Sequence, residues 1–88
     1  MVTIDPARLR FWRNMRTMTV TELAEASRIN RHSLISYELG RRMPREKPFR
    51  RLCTALGIGP ENLLLDGYRY IPQAKNDEEF SDGPVELD

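Results

Sequence analysis

Apolar residues recur at helical spacing over most of the chain, and their spacing predicts a succession of short helices. Leu9 and Trp12 fall at i and i+3, followed by Arg13 and Met15, and Asp5 or Thr3 can cap a first helix that takes Pro6 in its opening turn. Thr19 followed three residues later by Glu22 fits a capping box, so a second helix should begin at Val20. Leu23 and Ala24 follow at i+3 and i+4, giving that helix a narrow apolar stripe that ends near Ser27. Asn30 suits the cap of a third helix, with Ile29 as the apolar residue just before it. Leu34 and Tyr37 form the buried face of this helix, and Gly40 is its expected stop. The opposite face is polar and is left unexplained by packing.

Beyond Gly40 the pattern breaks at RRMPREKP, a basic loop over 41–48 in which two prolines hinder helix continuation. Phe49, Leu52, Cys53 and Leu56 then give an i, i+3, i+4, i+7 stripe, with Pro48 tolerable in the first turn and Gly57 as the end. Pro60 suits the first position of a short final helix through Glu61 to Leu65, with Leu63 and Leu64 facing the core. No segment before Tyr68 alternates in the strand period. The expectation is an all-α body of five helices over 1–67, followed by an acidic, mostly disordered tail over 68–88. Tyr68–Ile71 (YRYI) is the exception in the tail, open to a short strand, a docking segment or packing back onto the body.

Length changes the picture little. The 88 residues make one small domain with a single core, of modest stability and open to support from a second copy or partner. No stretch approaches a membrane span, and MVTIDPARLR lacks a secretory pattern, so a cytoplasmic protein is expected. One Cys, Cys53, and one His cannot build a structural zinc site or a disulfide within a chain, and no metal or cofactor is expected. Charge is more informative once it is divided. Residues 1–67 hold 12 Lys and Arg against 7 Asp and Glu, 12 − 7 = +5, and residues 68–88 hold 2 against 6, 2 − 6 = −4. Eleven of those 12 cations are Arg. Guanidinium forks match phosphates and base edges, which suggests a polyanion-binding surface, although the same charges would also keep a small domain soluble.

The order Thr19, Leu23-Ala24, Ile29-Asn30 and Glu38-Leu39-Gly40 resembles the helix-turn-helix of the Cro and phage-repressor class, the XRE family. The likeness continues through the basic, proline-containing loop (Arg41, Arg42, Pro44) and the stretch from Cys53 to Ile58, where Cys stands in the family's Ala place. It runs from Leu9 to Leu65. It implies a compact lambda-repressor-like DNA-binding domain with the motif on helices 2 and 3. It also implies that Arg13 pairs with Glu38, the acid ending the recognition helix. Two positions depart from the family. Val20 stands where Gln commonly touches a phosphate, leaving anchoring to Thr19, Thr21 or backbone N–H groups, and Arg28 stands at the turn Gly, where a positive φ costs of order 1 kcal/mol and a slightly rearranged turn is expected.

With Leu34 and Tyr37 inward, the outward positions of the third helix are Arg31, His32, Ile35, Ser36 and Leu39. In such a motif the N-terminal residues lie nearest the base edges, which selects Arg31, His32, Ile35 and Ser36 for reading. Arg31 suits guanine O6 and N7, and Ile35 a thymine methyl. Thr19, Thr21, Ser33, Arg41, Arg42, Arg45 and Lys47 are the expected phosphate contacts, with Arg10 and Arg16 as further candidates. The implied function is that of a sequence-specific regulator of double-stranded DNA, most readily a repressor, bacterial or phage-encoded and nucleoid-associated. It would bind a palindromic site as a homodimer, and whether the dimer forms in solution or only on DNA stays open. An antitoxin-like interaction module, whose tail 68–88 binds a protein partner, is the alternative. An enzyme is not expected: Cys53 lies on a buried face, and no base stands at a motif spacing from Ser33 or Ser36.

Overall fold

The computed structural model describes residues 1–71, so the expected acidic tail lies outside the described residues from position 72 onward. Four α-helices carry the fold: α1 (Pro6–Met15), α2 (Val20–Ser27), α3 (Arg31–Glu38) and α4 (Glu46–Leu56). Each of the first three starts where a side chain can satisfy an orphan N–H group. Asp5 accepts from the Ala7 N–H at 3.0 Å, with Pro6 at the first helical position. Thr19 and Glu22 form the reciprocal capping box, at 3.0 and 2.8 Å. Asn30 accepts from the His32 N–H at 2.8 Å. α4 begins two residues ahead of Pro48 with no side-chain cap. A proline there removes only an N–H that would lack an intrahelical acceptor anyway.

The expected fifth helix is not formed. Residues Pro60–Asn62 make one 3₁₀ turn, and the chain then leaves helical geometry. The Leu63 and Leu64 N–H groups still reach the Pro60 carbonyl, at 3.0 and 3.3 Å, but the next groups pair across to the N-terminal segment. The Asp5 N–H donates to the Leu63 carbonyl at 2.8 Å, the Leu65 N–H donates to the Thr3 carbonyl at 3.1 Å, and Ile4 and Leu64 form an antiparallel bridge. This short pairing buries Ile4, which sits alone among polar neighbours and carries no periodic signal. The core beneath it joins Leu9, Leu23, Leu34, Phe49, Leu52, Leu56 and Leu63, drawing on all four helices and the residue that follows the 3₁₀ turn. Met15 is exposed, because six positions after Leu9 it falls on the outer side of α1. In the segment after Gly67, Tyr70 packs back onto the body, its ring 5.0 Å from Phe49 and its hydroxyl donating to Glu46 Oε2 at 2.7 Å.

The helix ends share one device. At each C-terminus a left-handed residue lets two N–H groups reach back into the last turn: Thr17 and Met18 after α1, Arg28 and Ile29 after α2, Gly40 and Arg41 after α3, Gly57 and Ile58 after α4. Three of the four ends also receive an arginine from another part of the chain. Arg51 Nε donates to the Ser27 carbonyl at 2.8 Å, Arg10 Nη1 to the Glu38 carbonyl at 3.2 Å and Arg16 Nε to the Leu56 carbonyl at 2.8 Å. A cation at a helix C-terminus meets both the orphan carbonyls and the negative end of the helix dipole.

Cys53 lies in the core, and burial, reinforced by the nearby Glu61 charge, raises its pKa from the ordinary 9.0 to about 11. The folded protein therefore holds the thiol proton after the unfolded chain has lost it. The Cys53 contribution to stability is full below pH 9 and declines as pH rises toward 11. A disulfide-exchange reagent at mildly alkaline pH should label Cys53 slowly in the native protein and at once in urea. Equally fast labelling in both would show that α4 does not protect it.

Candidate nucleic-acid interface

The site is built on α3, and the geometry begins on its hidden side. Leu34, Tyr37 and Glu38 are buried, so the helix presents an inner face that is apolar except for one carboxylate. Arg13 of α1 meets that carboxylate with both edges of its fork, Nε donating to Oε2 at 2.6 Å and Nη2 to Oε1 at 3.0 Å. Its remaining Nη1 donates to the Met18 carbonyl at 2.9 Å. The side chains are 13% and 7% exposed, so this pair is well withdrawn from water. Since Arg10 holds the Glu38 carbonyl, two arginines of α1 fix both ends of one residue on α3. The angle of α3 to the body follows from these bonds as much as from Leu34.

The turn ahead of α3 keeps the left-handed conformation that the sequence expectation put in doubt. Arg28 sits at φ 56° and ψ 43°, donating its N–H to the Glu25 carbonyl at 3.2 Å, while Ile29 donates to Ala24 at 3.0 Å and buries its side chain. Arg51 spans the outside of the turn through the Ser27 carbonyl at 2.8 Å and the Arg28 carbonyl at 3.5 Å. The surroundings over-determine the turn, so it accepts a non-glycine residue without rearranging. Ser27 is fully buried, its hydroxyl donating to the Leu23 carbonyl at 2.7 Å, a place its polar character did not advertise.

On the outward side Arg31 and His32 are exposed, Ile35 and Ser36 are half-buried, and Leu39 is 54% exposed. Arg31 Nε donates to the Thr21 hydroxyl at 3.2 Å, which ties the start of α3 to the first turn of α2. On the other flank Arg42 Nη1 donates to the Ser33 hydroxyl at 3.4 Å, with the guanidinium 6.0 Å from the Tyr37 ring centre. Thr19 caps α2 and is exposed, as are Arg41, Arg45 and Lys47. Thus Thr21 with Arg31 on one side, and Ser33 with Arg42 on the other, bracket His32, Ile35 and Ser36. Arg10 and Arg16, offered as further phosphate contacts, have their guanidinium groups on carbonyls of Glu38 and Leu56. Among the described residues no group of three or more His, Cys, Asp or Glu could hold a metal, and no helix is long and apolar enough to cross a membrane.

The family described as a helix-turn-helix domain matches residues 7–69. Among curated proteins none matches in sequence. The restriction-modification controller protein C.AhdI from Aeromonas hydrophila is similar in structure, with TM-score 0.63 and 30% identity, covering 65% of this chain and 86% of its own. PhpD with cadmium atoms is similar at TM-score 0.64 and a mutant hydroxyethylphosphonate dioxygenase at 0.65, each 24% identical over 80% of this chain. This chain spans only 15% of the length of either, and at that identity the likeness concerns the fold alone.

Removing one partner of the buried pair leaves the other charge without compensation. Glu38→Ala should lower unfolding free energy in urea by about 3 kcal/mol, toward the bottom of the usual range because the pair retains some exposure. The double change Arg13→Met with Glu38→Leu should recover most of that loss. A Glu38→Ala cost below about 0.5 kcal/mol, the level of a surface pair, would remove the pair from its proposed place at the centre of the fold.

Proposed function

The chain belongs to the helix-turn-helix domain family, in its Cro and phage-repressor (XRE) type, and from that premise we propose that it represses transcription by binding a specific DNA duplex. The observation that carries this reading is the contrast between the two sides of α3. Its inner side is fixed by Arg13, Arg10 and the core, while its outer side offers Arg31, His32, Ile35 and Ser36 on a rigid helix. A helix held at a fixed angle can present base-reading groups in register with the major groove.

Arg31 reads guanine through its fork, with the Thr21 hydroxyl holding Nε and so limiting the rotamers the side chain must give up on binding. His32 donates to a base acceptor or phosphate, Ile35 meets a thymine methyl, and Ser36 bonds a base edge. Thr19, Thr21, Ser33, Arg41, Arg42, Arg45 and Lys47 take phosphates and set the register, since backbone contacts position while base contacts specify. The similarity to a protein named as a restriction-modification controller supports a regulatory role. One such domain offers a short reading edge. Two copies on a palindromic operator, with half-sites about one helical turn apart, supply the remaining affinity and specificity.

Selection of bound duplexes from a random pool tests the assignment. The native chain should enrich a palindromic preference. Arg31→Ala should relax it at one base position in each half-site, at a cost of about 1–3 kcal/mol. Arg42→Ala should weaken all duplexes nearly uniformly and reduce the slope of log affinity against log salt by about 0.9 per protomer. Equal affinity of the native chain for a random duplex and for every genomic site would sink the sequence-specific reading.

A further inference from the structure

A second concentration of positive charge lies off the α3 edge. Between the end of α2 and the outer side of α4 a concavity of about 780 Å³ is lined by Arg28, Lys47, Arg50 and Arg51, with Glu25 as the one acid in its lining among the described residues. Lys47, Arg50 and Thr54 stand at i, i+3 and i+7, so they form one exposed row along α4. Arg28 joins them from the left-handed turn, and Arg51 reaches across to that turn through the Ser27 and Arg28 carbonyls. The four cations outnumber Glu25 and the Glu46 carboxylate that takes Arg50, so they repel one another at low salt, and a ligand with several carboxylates would relieve that repulsion.

The last described residues lie at the rim. Tyr70 donates its hydroxyl to Glu46 Oε2 at 2.7 Å, and the same oxygen takes Arg50 Nη1 at 3.5 Å. One carboxylate thus joins the last part of the described chain to a cation of the concavity. Past Ile71 the sequence carries Lys75 against Asp77, Glu78, Glu79, Asp82, Glu86 and Asp88, 1 − 6 = −5. Asp77 stands six residues past Ile71, a reach of up to ~20 Å, and that reach starts beside Tyr70, which shares the Glu46 carboxylate with Arg50. Length therefore permits the contact, and charge favours it.

We infer that Asp77, Glu78 and Glu79 of the same chain dock in the basic concavity formed by Arg28, Lys47, Arg50 and Arg51. The tether keeps these carboxylates at an effective concentration of roughly millimolar, so weak individual pairs suffice. A consequence, which rests on the DNA-binding reading, is that the docked acids compete with a phosphate for Lys47. The docking itself does not depend on that reading.

The test uses full-length chain without DNA. Backbone amide spectra of the native protein are compared with those of a variant carrying Asp77→Asn, Glu78→Gln and Glu79→Gln. Low salt should give shift differences at Arg28, Lys47, Arg50 and Thr54, independent of protein concentration. They should vanish near about 1 M salt, where the Debye length is ~3 Å. Arg50→Gln, an exposed change, should reproduce a large part of the shifts at Arg28 and Lys47. Differences confined to the neighbours of the substituted acids, or mapping to the outward edge of α3, would overturn the inference. Differences that grow with protein concentration would assign the acids to a second copy and overturn the intramolecular contact.

Discussion

The bond that the rest of the structure depends on is the one between Arg13 and Glu38. A carboxylate on the buried side of a recognition-type helix is costly unless its oxygens are satisfied, and here both accept from one guanidinium. That requirement fixes several things at once. α1 must lie across the C-terminal half of α3, the loop after α1 must bring the Met18 carbonyl to the remaining guanidinium nitrogen, and Gly40 must turn close by. A Cβ at Gly40 would approach Pro6 Cγ to 3.4 Å, and the residue sits at φ +74°. That approach is ordinary van der Waals contact, so it is the positive φ that favours glycine at this position. Apolar packing alone would let α3 rotate about its axis with small penalties. A two-pronged ion pair does not, because it is directional.

Arginine plays two physically different parts in this chain, and the sequence does not separate them. Five of the arginines donate to main-chain carbonyls: Arg8 to Leu64, Arg10 to Glu38, Arg13 to Met18, Arg16 to Leu56 and Arg51 to Ser27. Three of those carbonyls end helices, where a charged donor is stronger than a neutral one and also opposes the dipole. Lysine in these places would offer a charge without the planar fork that reaches a carbonyl and a second acceptor together, as Arg13 does for Glu38 and Met18 and Arg8 for Leu64 and Asp66. The predominance of Arg over Lys in the body therefore has a structural cause as well as any connected with nucleic acid.

The helix starts and stops were legible because each follows from one or two local residues: Asp5-Pro6, Thr19 with Glu22, Asn30, Gly40 and Gly57. So were Leu34 and Tyr37, whose spacing leaves Arg31, His32, Ile35 and Ser36 on the other side. What escaped depends on partners distant in sequence. Ile4 pairs with Leu64, and the expected last helix stops at a 3₁₀ turn where the Leu63 carbonyl and the Leu65 N–H are engaged with Asp5 and Thr3 of the N-terminal segment. Ser27 is buried where only a small side chain able to bond its own helix carbonyl would be accommodated. Arg28 holds a conformation usually left to glycine because Arg51, 23 positions later, secures the carbonyl of the turn. Such pairings leave no period or motif in the chain.

Separating the arginines also reshapes the electrostatics. A formal balance of +5 over 1–67 suggests a broadly basic body, yet the guanidinium groups of Arg8, Arg10, Arg13, Arg16 and Arg51 are engaged with the protein itself. Glu38 cancels the charge of Arg13, and Asp66 and Asp5 largely offset that of Arg8. The less committed cations Arg28, Arg31, Arg41, Arg42, Arg45 and Lys47 fall within the span from the α2–α3 turn to the start of α4, and Arg50 lies one turn further along α4. That span contains α3 and both its flanks. Screening at physiological salt acts over about 8 Å, so an approaching polyanion responds to this local cluster more than to net charge. The field is therefore directional, and its direction is set by which arginines the fold consumes.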